Sequence, residues 1–226
     1  MESTRKLRVW DLPTRMFHWA LVLLIIVSFV SVKAGDDYLD WHFRSGYAVL
    51  TLLLFRLVWG FLGGYHTRFT SFFPRPKQVL QYLGGAFKRG ASADPGHNPL
   101  GAVSVLALLL AFLFQVASGL FANRDGIDVG PLANRIGMDA SDMITELHEG
   151  NQVILLALVF LHLAAIAFYW FYKRNNLVKP MITGDLVVPI DASFEVSRDT
   201  WATRLLALVV LAVCSGLVYA VVKFAG

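Results

Sequence analysis

Six histidines and a single cysteine, Cys214, make up the soft-ligand inventory of this chain. Four of the histidines, His18, His42, His148 and His162, stand inside or at the mouths of long apolar runs. Ionisable groups at that depth are costly, and they usually persist because they do something. One cysteine excludes a Cys₄ iron–sulfur cluster, a cysteine-rich zinc site, an intrachain disulfide and a haem attached through C-x-x-C-H. A haem held without covalent links needs only axial donors, and neutral imidazole is a good one. His148 and His162 are fourteen residues apart. That spacing is close to four helical turns, so the two share a face and differ in depth by about 21 Å. Following the runs in alternating directions pairs His42 with His148 at one membrane level and His18 with His162 at the other. Two histidines at one depth, from different helices, can supply both axial ligands of a haem iron. Two such levels make two stacked haems with irons about 20 Å apart, a layout that carries electrons across a bilayer.

Other residues fit this reading with varying specificity. Arg56 lies fourteen residues beyond His42, on the same face and about four turns deeper. Its anionic partner would be a haem propionate, or else it snorkels to the interface. Arg15, one turn before His18, and Arg44, two residues after His42, are weaker propionate candidates. Gly46, one turn after His42, would clear room for a macrocycle, as would Gly60, Gly101, Gly119 and Gly150; glycines also serve plain helix packing. His66 sits in a basic loop and is expected to be solvated. His97, before Pro99, would line a quinone or haem-edge pocket or serve a helix start. Glu146 and Glu149 flank His148 and would orient it, handle protons, or sit wet at a helix mouth.

The elements that must position these residues follow from composition. The 226 residues are 56% hydrophobic and 16% charged, against about 45–50% and about 25% in a soluble domain. The apolar surplus predicts lipid-facing surface, and five runs are long enough to span: 16–32, 43–62, 100–121, 153–172 with a helix beginning near Ser141, and 205–224. The first is read as a retained helix. It is longer than a signal-peptide core, and Ser31-Val32-Lys33-Ala34-Gly35 offers no small-x-small cleavage site. The net charge of +4 matters through its placement. Arg5, Lys6, Arg8 and Arg15 precede the first span, and Arg68, Arg75, Lys77, Lys88 and Arg89 lie between the second and third. Lys173, Arg174 and Lys179 follow the fourth, whereas the alternate loops are rich in Asp and Glu. The positive-inside rule then puts the N-terminus in the cytoplasm and the C-terminus in the periplasm. Residues 74–90 read as an amphipathic interfacial helix or an ordinary loop with a helical turn. Residues 180–200 read as mixed, polar and irregular. Nothing points to nucleic acid.

Several motifs together resemble the bacterial cytochrome b561 and nickel–iron-hydrogenase b-type cytochrome family. They are Val9-Trp10-Asp11-Leu12-Pro13-Thr14-Arg15 with Phe17-His18-Trp19, Trp41-His42 with Gly46-Tyr47, and Phe55-Arg56-Leu57-Val58-Trp59-Gly60. Further along come Gly96-His97-Asn98-Pro99-Leu100-Gly101, Glu146-Leu147-His148-Glu149, Leu161-His162 and Asn176-Leu177-Val178-Lys179-Pro180-Met181-Ile182-Thr183-Gly184. The resemblance covers roughly residues 7–185. It implies an all-α membrane protein with a four-helix haem-binding bundle, b-type haem with bis-histidine ligation, and electron exchange between the quinone pool and a periplasmic partner. Family members differ in that partner, which is a hydrogenase, a c-type cytochrome or a small oxidant such as superoxide, and some bind fewer than two haems. The expectation is therefore an inner-membrane b-type cytochrome: a di-haem domain over 1–185, then a linker and a fifth, C-terminal span over 186–226. The alternatives are a superoxide:quinone oxidoreductase and an anchor subunit without cofactor.

Overall fold

The computed structural model of the chain describes residues 3–85, 95–124, 126 and 128–224. Along the chain these form β1 (Thr4–Arg8), α1 (Leu12–Ala34), α2 (Leu39–Leu62), α3 (Phe69–Phe72), α4 (Pro76–Gly85) and α5 (Pro99–Gly119). After them come β2 (Asn123–Arg124), β3 (Asp128–Val129), α6 (Met138–Phe171), α7 (Val178–Thr183), β4 (Asp185–Pro189) and α8 (Trp201–Phe224). Five helices, α1, α2, α5, α6 and α8, are long and apolar enough to cross a membrane. They coincide with the five expected runs. The ends differ because polar caps, rather than apolar residues, decide where a helix starts. Asp11 caps α1 by accepting from the Thr14 backbone N–H at 2.8 Å, so the helix begins four residues before the apolar run. Asn98 caps α5 by accepting from Gly101 N–H at 2.8 Å, with Pro99 in the first helical position. The 34 residues of α6 are about 51 Å long, so this helix extends beyond a hydrocarbon core of about 30 Å.

The chain condenses into two compact units, each assembled from three segments. The first comprises Met1–Met16, Leu57–Ala107 and Leu158–Ala207. Here β1 and β4 pair antiparallel, with Leu7 opposite Leu186, over a small core of Leu7, Val9, Trp10 and Val188. Gly184 ends α7 with φ of 87°, a conformation that favours glycine, and its carbonyl accepts from both Val9 N–H (2.9 Å) and Trp10 N–H (3.1 Å). A Cβ there would lie 2.8 Å from the Trp10 carbonyl oxygen, so the position is closed to side chains twice over. Of residues 180–200, expected to be irregular, the first part is ordered as the end of α7 and as β4, whereas 191–200 carry no regular element but are fastened by hydrogen bonds. Ser197 donates to the Val9 carbonyl at 2.6 Å, and Asp199 pairs with Arg8 (2.8 Å) and Arg204 (2.9 Å). The polar composition gave no sign of this fastening, because β1, the partner that holds the segment, is about 190 residues away in sequence.

The amphipathic stretch is helical over Pro76–Gly85, and Lys88 and Arg89 fall outside the described residues. Leu80 and Leu83 of α4 are exposed, whereas Tyr82 is half-buried and its hydroxyl bonds that of Tyr169 on α6. Tyr169 also accepts from Asn98 Nδ2 at 2.9 Å, which ties α4 to the capped start of α5.

The second unit comprises Phe17–Arg56, Leu108–Ala157 and Leu208–Gly226. Its loop between α5 and α6 carries the β2–β3 ladder and is clasped to the first turns of α6. Ser141 donates to the Phe121 carbonyl at 2.8 Å, and Asn123 N–H donates to Thr145 Oγ1 at 2.9 Å. Arg124 meets Asp36 at 2.7 Å.

Candidate functional site

The second unit holds His18, His42 and His148, and the first holds His66, His97 and His162. His42 lies in the first turn of α2. Its Nδ1 is 3.0 Å from the Ser28 carbonyl oxygen on α1 and 3.0 Å from the Ser28 hydroxyl. His148 lies on α6, with Nδ1 2.9 Å from the Gln115 carbonyl oxygen on α5 and 3.2 Å from Ser118 Oγ. A carbonyl oxygen only accepts, so each Nδ1 carries the ring proton and each Nε2 has the lone pair, which in His148 accepts from the Gln115 side-chain amide at 3.1 Å. Tying Nδ1–H to a carbonyl is how proteins orient a metal-binding imidazole. The ring centres of His42 and His148 are 6.2 Å apart and their planes lie 89° apart.

This geometry fits a bis-imidazole metal centre. A metal–nitrogen bond of about 2 Å on each side, plus roughly 1 Å from each nitrogen to its ring centre, separates the ring centres by about 6 Å. Gly46, one turn beyond His42, would meet nothing within 4 Å if given a Cβ, and the same holds for Gly150. These two glycines face open space. The other candidates for macrocycle clearance are packed. A Cβ on Gly60 would lie 2.0 Å from the Phe69 ring, and one on Gly119 would lie 2.9 Å from Cε1 of His148. Gly119 thus makes room for the imidazole ring itself.

The cationic candidates separate as well. Arg56 is buried, only 4% exposed. Arg15 donates from Nη1 to the Ile182 carbonyl at 2.7 Å and approaches Asp199 at 3.9 Å, while its Nε is buried without a hydrogen-bond partner. Arg44 is exposed and pairs with Asp40 at 2.8 Å one turn away, so its guanidinium is already engaged at the helix mouth. Glu146 and Glu149 are both exposed. His18 and His162 are half-buried, on α1 and α6 respectively.

His66 corrects the sequence expectation. It is buried rather than solvated, and its Nε2 is 2.8 Å from the Glu195 carbonyl oxygen. Burial pushes its imidazole below the ordinary value of 6.5, although the Glu195 carbonyl and carboxylate pull the other way. The unfolded chain therefore binds this proton first. Stability should be intact above about pH 6.5 and drain as pH falls from there to the lowered folded value. The slope should not exceed about 1.4 kcal/mol per pH unit for one proton. Thermal unfolding between about pH 7.5 and about pH 5.5 should show the loss, and His66→Gln should flatten it; an unchanged slope in the variant would count against the assignment. His97 is not the cap of α5. Its ring packs on Trp10 (4.9 Å) and Phe72 (4.4 Å), and Asn98 does the capping.

Sequence reasoning missed Ser28, Gln115 and Asn151 around the two histidines. The available signal was Gln115, an amide in the otherwise apolar run of α5.

The profile of prokaryotic cytochrome b561 matches residues 9–184. The chain belongs to the prokaryotic cytochrome b561 family. It is a multi-pass membrane b-type cytochrome, an electron-transfer protein whose name implies haem b. A similar protein is the probable Ni/Fe-hydrogenase B-type cytochrome subunit of Bradyrhizobium diazoefficiens, 23% identical over 209 residues, covering 78% of this chain and 84% of that one. The corresponding protein of Azotobacter chroococcum is 24% identical, covering 78% and 86%. The probable Ni/Fe-hydrogenase 1 B-type cytochrome subunit of Escherichia coli K12 is 27% identical over 137 residues, covering 49% and 57%. No solved structure matches. In this cytochrome the first and last matched motifs meet at Gly184, where the Val9 and Trp10 amides bond its carbonyl. The fifth span, α8, lies beyond the matched residues.

Proposed function

We propose that this cytochrome carries electrons across the bacterial inner membrane between the quinone pool and a redox partner on the periplasmic side, either a hydrogenase or a c-type cytochrome. Haem b, when bound, supplies a one-electron iron couple. The observation that carries the reading is the His42–His148 pair, 6.2 Å apart with each Nδ1 on a helix carbonyl. These two imidazoles hold the outer haem. His18 and His162 hold the inner one, an assignment that rests on helical spacing. Arg56 and Arg15 are the propionate partners, and Gly46 leaves clearance. The cofactor domain occupies 1–185, and 186–226 adds the lead-in and fifth helix.

The relatives' names support a hydrogenase as the partner. Charge supports the orientation. Among the described residues, the first unit has twelve Lys and Arg against five Asp and Glu, and the second has six against eight. By the positive-inside rule the Lys- and Arg-rich loops belong on the cytoplasmic side and the Asp- and Glu-rich loops on the periplasmic side. Acidic outer loops would also steer a basic partner.

The test is a pyridine haemochrome assay on the purified full chain, with two haems b per chain expected and no b-type signal overturning the reading. Copurification of a hydrogenase or c-type cytochrome supports the conduit. Superoxide-driven quinone reduction by the isolated chain would replace it with an oxidoreductase acting on a small substrate.

A further inference from the structure

We propose that α4 is a membrane-interface anchor. Leu80 and Leu83, with Phe73 just ahead of the helix, lie among the acyl chains of one leaflet, and Lys77 meets the phosphates of anionic phospholipids there. The inference needs only the membrane spans and does not depend on the haem reading.

α4 turns its leucines outward. Leu80 is 70% exposed, and Leu83 and Phe73 are exposed as well, whereas Val79 and Tyr82 are half-buried. A helix turns about 100° per residue, so Tyr82 stands about 200° around the axis from Leu80. Leu83 and Lys77 lie about 60° to either side of Leu80. The inward side is fastened. The Tyr82 hydroxyl bonds that of Tyr169 on α6, and Tyr169 accepts from Asn98 Nδ2 at 2.9 Å. The Asn98 amide has one orientation, because its Oδ1 accepts from Gly101 N–H at 2.8 Å and caps α5. Tyr82, Asn98 and Tyr169 all belong to the first unit. The clasp therefore holds the leucine face of α4 pointing away from the ends of α5 and α6.

A cluster of exposed apolar side chains marks a contact with a membrane or with another protein. Three observations favour lipid. The clasp sits on Tyr169, and α6 ends at Phe171, so α4 is held where that span leaves the hydrocarbon. Exposed aromatics gather at the same ends of two spans of this unit: Trp170 and Phe171 close α6, and Phe61 and Tyr65 stand at the close of α2. Aromatic side chains at span ends mark the membrane–water interface. Finally, Arg75 and Lys77 are exposed beside the leucines, and residues 69–85 contain no Asp or Glu. A helix with an apolar face flanked by cations lies in the interface plane and is drawn to anionic headgroups.

The experiment uses the full chain in phosphatidylcholine vesicles with and without phosphatidylglycerol. In a Cys214→Ser background, Leu80→Cys, Leu83→Cys and Gln78→Cys each carry a fluorophore, quenched either by doxyl-labelled lipid or by aqueous iodide. The labels at 80 and 83 should be quenched several-fold more by the lipid than the label at 78, and several-fold less by iodide. Phosphatidylglycerol should deepen the lipid quenching at 80, and Lys77→Gln should abolish that gain. Labels at 80 and 83 that are open to iodide overturn the proposal. Labels shielded from both quenchers also overturn it, because a protein surface would then cover the face. Quenching indifferent to phosphatidylglycerol overturns the role of Lys77. If the Cys214→Ser background does not accumulate, the unsubstituted chain carries the test. A phospholipid with a diazirine high on its acyl chain should then crosslink within residues 73–83, and crosslinks confined to the spans overturn the proposal. None of these readouts needs bound haem, so a failed haemochrome assay leaves them standing.

Discussion

Replacing His148 with alanine should strip one haem from the protein and leave the other bound. The ring centres of His148 and His42 are 6.2 Å apart, and both have their Nδ1 protons committed to carbonyls of neighbouring helices. On the proposed pairing, a haem at this level would need both Nε2 lone pairs. Weakening only the groups behind a ligand costs about 10–100-fold in metal affinity, so losing the ligand itself should cost more than about 100-fold. Haemochrome stoichiometry of His148→Ala should fall by half, and electron transfer through the chain should fall to background. His42→Ala should give the same phenotype, and the double variant should be no worse than either single one, if both histidines serve one centre as proposed. His162→Ala should remove the other haem. If each of these variants lost both haems equally, the sorting of the histidines into two levels would fail.

Asp11→Ala should produce the largest loss of stability. Asp11 is fully buried, 0% exposed, and its carboxylate is where several segments of the first unit meet. Oδ1 caps α1 at Thr14 N–H (2.8 Å) and accepts from the Trp59 indole N–H (3.3 Å). Oδ2 accepts from Gly64 N–H (2.8 Å) and from the Thr67 hydroxyl at the long distance of 3.5 Å. Alanine would take the acceptor away from the Thr14 and Gly64 N–H groups and one partner from Trp59. Each orphaned group costs about 1–3 kcal/mol, and the lost cap about 1 kcal/mol. A total of about 3–5 kcal/mol is a large part of the roughly 5–15 kcal/mol that holds a domain folded. Asp11→Asn keeps one acceptor oxygen and should lose less. Thermal unfolding in detergent checks both, and an unshifted midpoint for Asp11→Ala would refute the account. Gly64 explains how close the approach is: a Cβ there would sit 2.8 Å from Asp11 Oδ2.

The two predictions draw on different kinds of legibility. His148 stood out in the sequence because an imidazole at the mouth of an apolar run is anomalous, and following the spans in alternating directions paired it in depth with His42. Asp11 did not stand out. It lay in a recognisable motif, but an aspartate before a helix reads simply as a cap, and nothing local announces that Trp59, Gly64 and Thr67 converge on its carboxylate. His66 failed for the same reason. Its loop neighbours are basic, while the residues that bury it, Glu195 and Ser197, are about 130 positions away.

By itself the sequence determined the five spans, the sorting of charge between alternate loops, and the candidate ligand residues. Each follows from short-range rules: a lipid core demands continuous apolar helices, and a helix repeats every 3.6 residues. Only the tertiary structure decided which glycines face open space and which cradle a ring, that residues 185–199 close onto β1, and which carbonyls orient the imidazoles. It also decided that the Gln115 and Asn151 side chains bond one another beside His148. Those outcomes depend on where hydrogen-bond donors and acceptors from distant segments meet. In a low-dielectric interior each buried polar group must find its partner in space, and spacing along the chain does not encode where that partner will be.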